Sequence, residues 1–299
     1  MAPGARFPAS FLTSLRPEQW SKNAFVFAGL LFGGRLTQGP QYLVAAGEAF
    51  AIFCGLSGAV YLLNDVADRT ADAGHPLKRH RPIAAGDLSP SAAVIGAAIL
   101  ALACLTAAFA TSRGLGLAGT AYLGLLALYS LWLKHVVIMD VLTIAGGFVL
   151  RAVAGALAVD VSISPWLLIC VTLLALFLGL SKRRHELTLL GVGAGGHRPI
   201  LDVYSPYLLD QMISVVGAAT LVAYSVYTTS SETAARVGSS HLALTIPFVL
   251  YGIFRYLYLV HREDGGGSPA ALLFTDRPLL ACVGLWGLTV AAMLYGPWG

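Results

Sequence analysis

The sequence predicts an all-α integral membrane protein, nine transmembrane helices bundled around a central cavity that opens on one face. Three observations carry that reading. The 299-residue chain is 57% hydrophobic and only 11% charged. Its mean hydropathy is +0.74. Its apolar residues fall in long charge-free runs, close to the ~20 residues a helix needs to cross hydrocarbon. Such helices pack against one another and lipid rather than around a water-excluding centre. The whole chain, 1–299, reads as one transmembrane domain.

In chain order, the first 20 residues lack a continuous apolar core, so no cleaved signal peptide is expected. Arg16-Pro-Glu-Gln-Trp-Ser-Lys-Asn23 is a polar lead-in. Pro17 suits a first helical turn and Trp20 an interfacial position. Nine spans follow, at 24–39, 43–63, 91–110, 114–133, 137–159, 165–181, 212–230, 241–260 and 278–296, the last ending in an interfacial Gly-Pro-Trp-Gly. The long polar loops after spans two and six hint at two halves of similar plan. Glycines inside spans, among them Gly29-x-x-x-Gly33 and Gly147 through Gly155, let helices approach closely in lipid. Those Gly-rich faces also permit a homo-oligomer. Cys54, Cys104, Cys170 and Cys282 all lie in apolar runs without a Cys-x-x-Cys pair, so they read as packing residues, not disulfides or a zinc site.

Lys and Arg set the orientation, because basic residues gather in cytoplasmic loops. With nine spans, one face carries fourteen of them, while the other has only Arg35, Arg113 and Arg236. The expectation is a multi-pass protein of the plasma or inner membrane. Its N-terminus and large polar loops would be cytoplasmic and its C-terminus outside. The modest net charge of +4 gives no reason to expect nucleic acid.

The chemistry-bearing stretch is Tyr61–Pro82, YLLNDVADRTADAGHPLKRHRP. Asn64, Asp68 and Asp72 are four apart, so a continuing helix stacks them on one face, with Asp65 at the shoulder. Oxygen ligands of this kind suit Mg²⁺, which keeps waters and shares its coordination with substrate phosphates. The plainer reading, a solvated helix end, is weakened by the cost of carboxylates so near a bilayer. Lys78, Arg79 and Arg81 follow as donors able to hold a diphosphate, or as membrane anchors. His75 and His80 have no ligand-spaced partner and stay unassigned. Lys134 ends span four, Asp140 begins span five, and Arg151 sits three turns further in, to be paired with Asp140 or Asp160 unless it serves a ligand. Tyr129 is placed to donate to a phosphate or to sit at the interface. Gly191-x-Gly-x-x-Gly196 follows a helix rather than a strand, so it reads as a loop, as does Gly265-Gly-Gly267. Tyr251, Phe254, Tyr256 and Tyr258 face lipid, neighbouring helices or a lipid groove.

Four segments together resemble the UbiA superfamily of intramembrane prenyltransferases: Arg16-Pro-x-x-Trp-x-Lys-Asn23, Asn64-Asp-x-x-Asp-x-x-x-Asp72, His75-Pro-x-Lys-Arg-x-Arg-Pro82 and Tyr129-Ser-x-x-Leu-Lys134. The resemblance runs from about residue 15 to 190. Within the superfamily it is to the branch that transfers phosphoribosyl groups to decaprenyl-type phosphates. Ordinary members carry a second Asp-rich motif after span six. Here that place reads Ser181-Lys-Arg-Arg-His-Glu-Leu187, cations that can bind phosphate directly.

The resemblance implies transfer of a 5-phosphoribosyl group from 5-phosphoribosyl 1-diphosphate to a polyprenyl phosphate, a step toward lipid-linked arabinose for cell-wall arabinan. It implies Mg²⁺ on Asn64, Asp65, Asp68 and Asp72, with the acids and Lys22 nearest the reacting groups. The remaining substrate contacts would come from Arg16, Lys78, Arg79, Arg81, Tyr129, Lys134, Asp140 and Arg151. Lys22, Lys182 and Arg183 would orient the acceptor phosphate, and Glu186 would order that cluster. The competing readings are a prenyltransferase for an aromatic or quinone head group, which needs a second metal site, and an anion or lipid transporter, which usually shows paired broken helices.

Overall fold

The computed structural model describes residues 7–74, 76, 78–190, 199–262 and 267–296, and among these residues it contains helices and no strand. In chain order the helices are α1 (Phe7–Ser14), α2 (Ala28–Phe32), α3 (Pro40–Ala67), α4 (Arg69–Ala73), α5 (Pro82–Ala85), α6 (Pro90–Thr111) and α7 (Arg113–Leu131). There follow α8 (Met139–Ala158), α9 (Pro165–Leu190), α10 (Pro206–Thr229), α11 (Ser231–Val237), α12 (Ile246–Arg262), α13 (Pro269–Thr275) and α14 (Arg277–Tyr295). His75, Arg198, the Gly191–Gly196 loop, Gly265 and Gly266 lie outside the described residues.

Among the described residues, eight helices are long and apolar enough to cross a membrane: α3, α6, α7, α8, α9, α10, α12 and α14. The difference from nine lies at 24–39, where no long helix forms. Residues Pro17–Phe27 are a 3-10 helix continued by the five residues of α2. This broken element still runs the length of the bundle. At one end Arg16 pairs with Asp65; at the other the Tyr295 hydroxyl donates to Leu31 O at 2.5 Å. Close packing accounts for its form. A Cβ on Gly155 of α8 would fall 1.7 Å from Val26 O, and one on Gly29 would fall 2.6 Å from Ala156 Cα. Backbone lies on backbone here, as the glycine pattern leads one to expect, and a 3-10 helix is the narrower rod.

Helix starts follow local chemistry. Ser89, Ser112, Ser205, Ser268 and Asp276 accept the N–H of the residue three ahead at the starts of α6, α7, α10, α13 and α14. Each such cap is worth ~1 kcal/mol. Pro40, Pro90, Pro165 and Pro206 stand at first helical positions, where the missing N–H has no partner to lose. Short connections make sequential helices antiparallel neighbours. The C-terminal ends of α3, α7, α9 and α12 therefore lie at one end of the bundle, which carries the basic excess, and Arg35, Arg113 and Arg236 fall at the other.

The two most buried spans are α3 (56%) and α8 (50%), against 17% for α6. Ile95, Ile99 and Leu102 of α6 point outward, exposed at 60%, 64% and 69%, as lipid-facing residues do. The central pair, α3 and α8, carries the buried charges Asp65, Asp140 and Arg151.

Candidate active site

The acids lie where α3 gives way. Asp68 caps α3 with φ −90° and ψ 3°, then α4 starts. The break splits the stack that four-residue spacing predicts. Asn64 and Asp68 turn toward the end of α7: Ser130 Oγ donates to Asn64 Oδ1 at 2.6 Å, and Lys134 Nζ lies 3.5 Å from Asp68 Oδ1. Asp65 and Asp72, both 3% exposed, turn the other way and share one guanidinium. Arg81 NH1 is 3.1 Å from Asp65 Oδ1 and 2.6 Å from Asp72 Oδ2. Arg16 also donates to Asp65, and Lys78 Nζ stands 4.0 Å from Asp72 Oδ1. Arg79 is not drawn in; it is exposed and donates to His80 at 3.3 Å.

Among the described residues no three His, Cys, Asp or Glu side chains converge as a metal cage. Mg²⁺ does not require one, since it is bound through one or two carboxylates plus substrate phosphates. Asp68 is half-exposed, with an Asn64 carboxamide one turn before it. This hard oxygen set fits Mg²⁺.

The second centre is on α9, which runs nine residues past its predicted end, so Lys182-Arg183-Arg184 is helical rather than loop. Arg183 is 2% exposed and held by two carboxylates, its Nε on Asp140 Oδ2 at 2.8 Å and its NH1 on Glu186 Oε2 at 2.7 Å. Lys182 Nζ is 3.9 Å from Glu186 Oε1, so this acid sits between the two cations. Half-buried Tyr129 lies within the electrostatic reach of Arg183. Arg184 turns away to Asp210, which also meets His261 Nε2 at 3.1 Å.

Deeper along α8 lies Arg151, 6% exposed. It pairs with neither Asp140 nor Asp160. Its Nε donates to Asn23 Oδ1 and its NH2 to the Tyr122 hydroxyl, both at 2.6 Å. The guanidinium lies over the rings of Tyr122 and Phe148 at 4.8 and 5.2 Å. Eleven helical residues separate it from Asp140, ~16 Å along the axis and beyond side-chain reach. Among the described residues Arg151 meets no carboxylate, and half-buried Lys22 sits in the field of Arg151, Lys182 and Arg16. A buried cation is costly unless an anion joins it.

An apolar cavity of about 370 Å³ adjoins this cationic floor. Phe25, Leu167, Cys170, Phe177, Tyr224, Tyr256 and Trp286 are among its walls. Phe25 is the hinge between the two, since it also packs edge-on against Phe148, 5.0 Å between centroids. Of the four aromatics noted in this span, Tyr256 lines the cavity, whereas Tyr251, Phe254 and Tyr258 face outward.

Sequence reasoning missed Tyr122 and Tyr204. Each is an ordinary polar residue on an apolar helix or in a turn, and no spacing marks it. Ser130 lies within the noted Tyr129–Lys134 motif but was not read as a partner for Asn64. Asn23 was within a noted motif but was not read as a partner for Arg151. An isolated carboxamide beside an apolar span was the available signal.

Comparison with known proteins bears on the whole arrangement. The decaprenyl-phosphate phosphoribosyltransferases of Mycolicibacterium smegmatis and Mycobacterium tuberculosis are 31% and 32% identical to this chain, each over 98% of it, and over 95% and 97% of their own lengths. A solved UbiA homolog from Archaeoglobus fulgidus, bound to GPP and Mg²⁺, shares the fold with a TM-score of 0.72 at 19% identity, covering 94% of this chain and 99% of its own. The model of the UbiA prenyltransferase family matches residues 23–185, more than half the sequence. The chain belongs to the UbiA prenyltransferase family.

Proposed function

We propose that the protein transfers a 5-phosphoribosyl group from 5-phosphoribosyl 1-diphosphate to a polyprenyl phosphate, at the cytoplasmic face of the membrane, and releases diphosphate. The named activity of the two mycobacterial relatives supports this reading. The observation that carries it is the cationic floor of Arg151, Lys22 and Lys182 beside an apolar cavity. That is the complement of a phosphate on a long hydrocarbon tail.

Asn64 and Asp68 would hold Mg²⁺, and its charge would offset that of the donor diphosphate as the bond to the sugar breaks. Asp65 and Asp72, turned the other way, have another task. They anchor Arg16, Arg81 and Lys78, which would meet the donor phosphates. Lys134, beside Asp68, faces the same phosphates. The acceptor phosphate is already an anionic nucleophile, so the site needs no strong base. Its oxygen attacks the anomeric carbon as the carbon–oxygen bond to diphosphate breaks, and the electron pair leaves with diphosphate. Lys22, Lys182 and Arg151 hold the acceptor phosphate in line, while Arg183, bound by Asp140 and Glu186, braces the cluster. Positioning and charge stabilisation supply the rate.

The test is purified protein with Mg²⁺, a polyprenyl phosphate and the donor. A phosphoribosylated lipid should form, chelation of Mg²⁺ should stop it, and Asp68→Ala should abolish it with the thermal transition retained. Failure with every polyprenyl phosphate, alongside prenylation of an aromatic acid from a prenyl diphosphate, contradicts the proposal.

A further inference from the structure

Ile138 opens α8 with φ 70° and ψ −42°. A β-branched residue rarely holds a positive φ, so its surroundings must impose it. The Ile138 side chain is 45% exposed, so core packing does not. Its backbone N–H is donated to the Tyr204 hydroxyl at 2.8 Å, and that hydroxyl donates to Asp140 Oδ1 at 2.9 Å. The other oxygen of Asp140 takes Arg183 Nε.

Tyr204 is itself well fixed. It is 4% exposed, in the same core cluster as Val141, Leu180 and Ile200. Burial pushes its hydroxyl up to about 12, so it stays a donor throughout any working pH. Lys134, four residues before Ile138, lies 3.5 Å from Asp68. Its 3-10 turn, Leu133–His135, lies beside the turn Pro199–Asp202 that leads into Tyr204.

We infer that Tyr204 is a positioning residue: by holding Ile138 in its positive-φ conformation it fixes Lys134 against Asp68, tying the acid centre to the Arg183 centre. Without the hydroxyl, Ile138 relaxes to negative φ and carries the Lys134 turn with it. A displacement of about 1 Å at a charged group of this kind can cost up to a hundredfold in rate. The consequence for turnover rests on the proposed phosphoribosyl transfer; the placement of Lys134 does not.

The experiment therefore has two arms. In the first, a water-soluble carbodiimide joins Lys134 to Asp68, and mass spectrometry gives the yield relative to the Lys182–Glu186 link on α9. Tyr204→Phe keeps the ring, and it should lower the Lys134–Asp68 yield by about threefold or more, the scale of one lost hydrogen bond. Adding Ile138→Gly should restore the link, because glycine holds positive φ without help. An unchanged yield in Tyr204→Phe, or a loss that Ile138→Gly leaves in place while the α9 link is intact, overturns the inference. In the second arm, Tyr204→Phe should lower kcat about tenfold and change the acceptor KM less than about twofold. It should add nothing in a Lys134→Gln background. Additive losses there overturn the inference. A wild type that forms no phosphoribosyl lipid overturns the proposed function alone, and the cross-link still decides the role of Tyr204.

Discussion

Replacing Arg151 with methionine separates a ligand-binding cation from a structural one. The guanidinium makes two hydrogen bonds of 2.6 Å, to Asn23 and Tyr122. Bonds to a charged group contribute ~1.5–3 kcal/mol each, so ~3–6 kcal/mol of favourable contact is lost. Against this stands the penalty of burying a cation with no carboxylate beside it, which is several kcal/mol. The two nearly offset, and methionine fills much of the same volume. Stability should therefore change by less than about 2 kcal/mol, in either direction.

Function should change far more. Loss of one buried charge-assisted contact to a phosphate is worth about 2–4 kcal/mol, roughly thirty- to a thousandfold in kcat/KM for the lipid acceptor. The assay pairs thermal unfolding in detergent, followed by tryptophan fluorescence, with kcat/KM at saturating donor. If Arg151→Met lowers stability by several kcal/mol and leaves kcat/KM per folded molecule unchanged, Arg151 is a packing residue and the cationic floor has been misread.

The remaining predictions concern packing, the buried network and the tail. Gly155→Ala should destabilise by about 3 kcal/mol or more, because the new methyl meets a backbone oxygen that cannot step aside; Gly124→Ala, with nothing within 4 Å, should be neutral or slightly stabilising in the same thermal assay. Asp140→Ala strips a carboxylate from an Arg183 side chain that is 3% exposed and should lose about 3–5 kcal/mol, whereas Asp140→Leu with Arg183→Met should recover most of the stability but no activity. Cys170→Phe puts a ring into the apolar cavity and should raise KM about tenfold for long polyprenyl phosphates, while geranyl phosphate changes less than about twofold.

What the sequence disclosed depends on whether the controlling interaction is local. Hydropathy located eight spans to within a few residues at most ends, because lipid imposes a length and a composition on each helix. It misread 24–39, where the chain takes a 3-10 path to lie directly on α8. That choice is made by Gly155 and Ala156, more than 120 positions away. The acids of Tyr61–Pro82 were plain, since charge stands out in an apolar chain. Their division into two pairs was not, because it turns on the backbone break at Asp68. Lys78, Arg79 and Arg81 looked alike as a run, yet Arg81 reaches Asp65 and Asp72 while Arg79 faces out. Tyr204 was invisible for the same reason, since its hydrogen-bond partners, Ile138 and Asp140, both stand at the start of α8, far away in sequence.

The central claim is that the sugar phosphate moves to the lipid and diphosphate leaves. It is tested most directly by following two labels at once in the donor, one in the ribose and one in the β-phosphate. With purified protein, Mg²⁺ and a polyprenyl phosphate, the ribose label should enter the lipid phase while the β-phosphate label appears in the aqueous phase as free diphosphate, in equal amounts. Ribose label that stays in water while the lipid is consumed, or both labels entering the lipid together, contradicts the account.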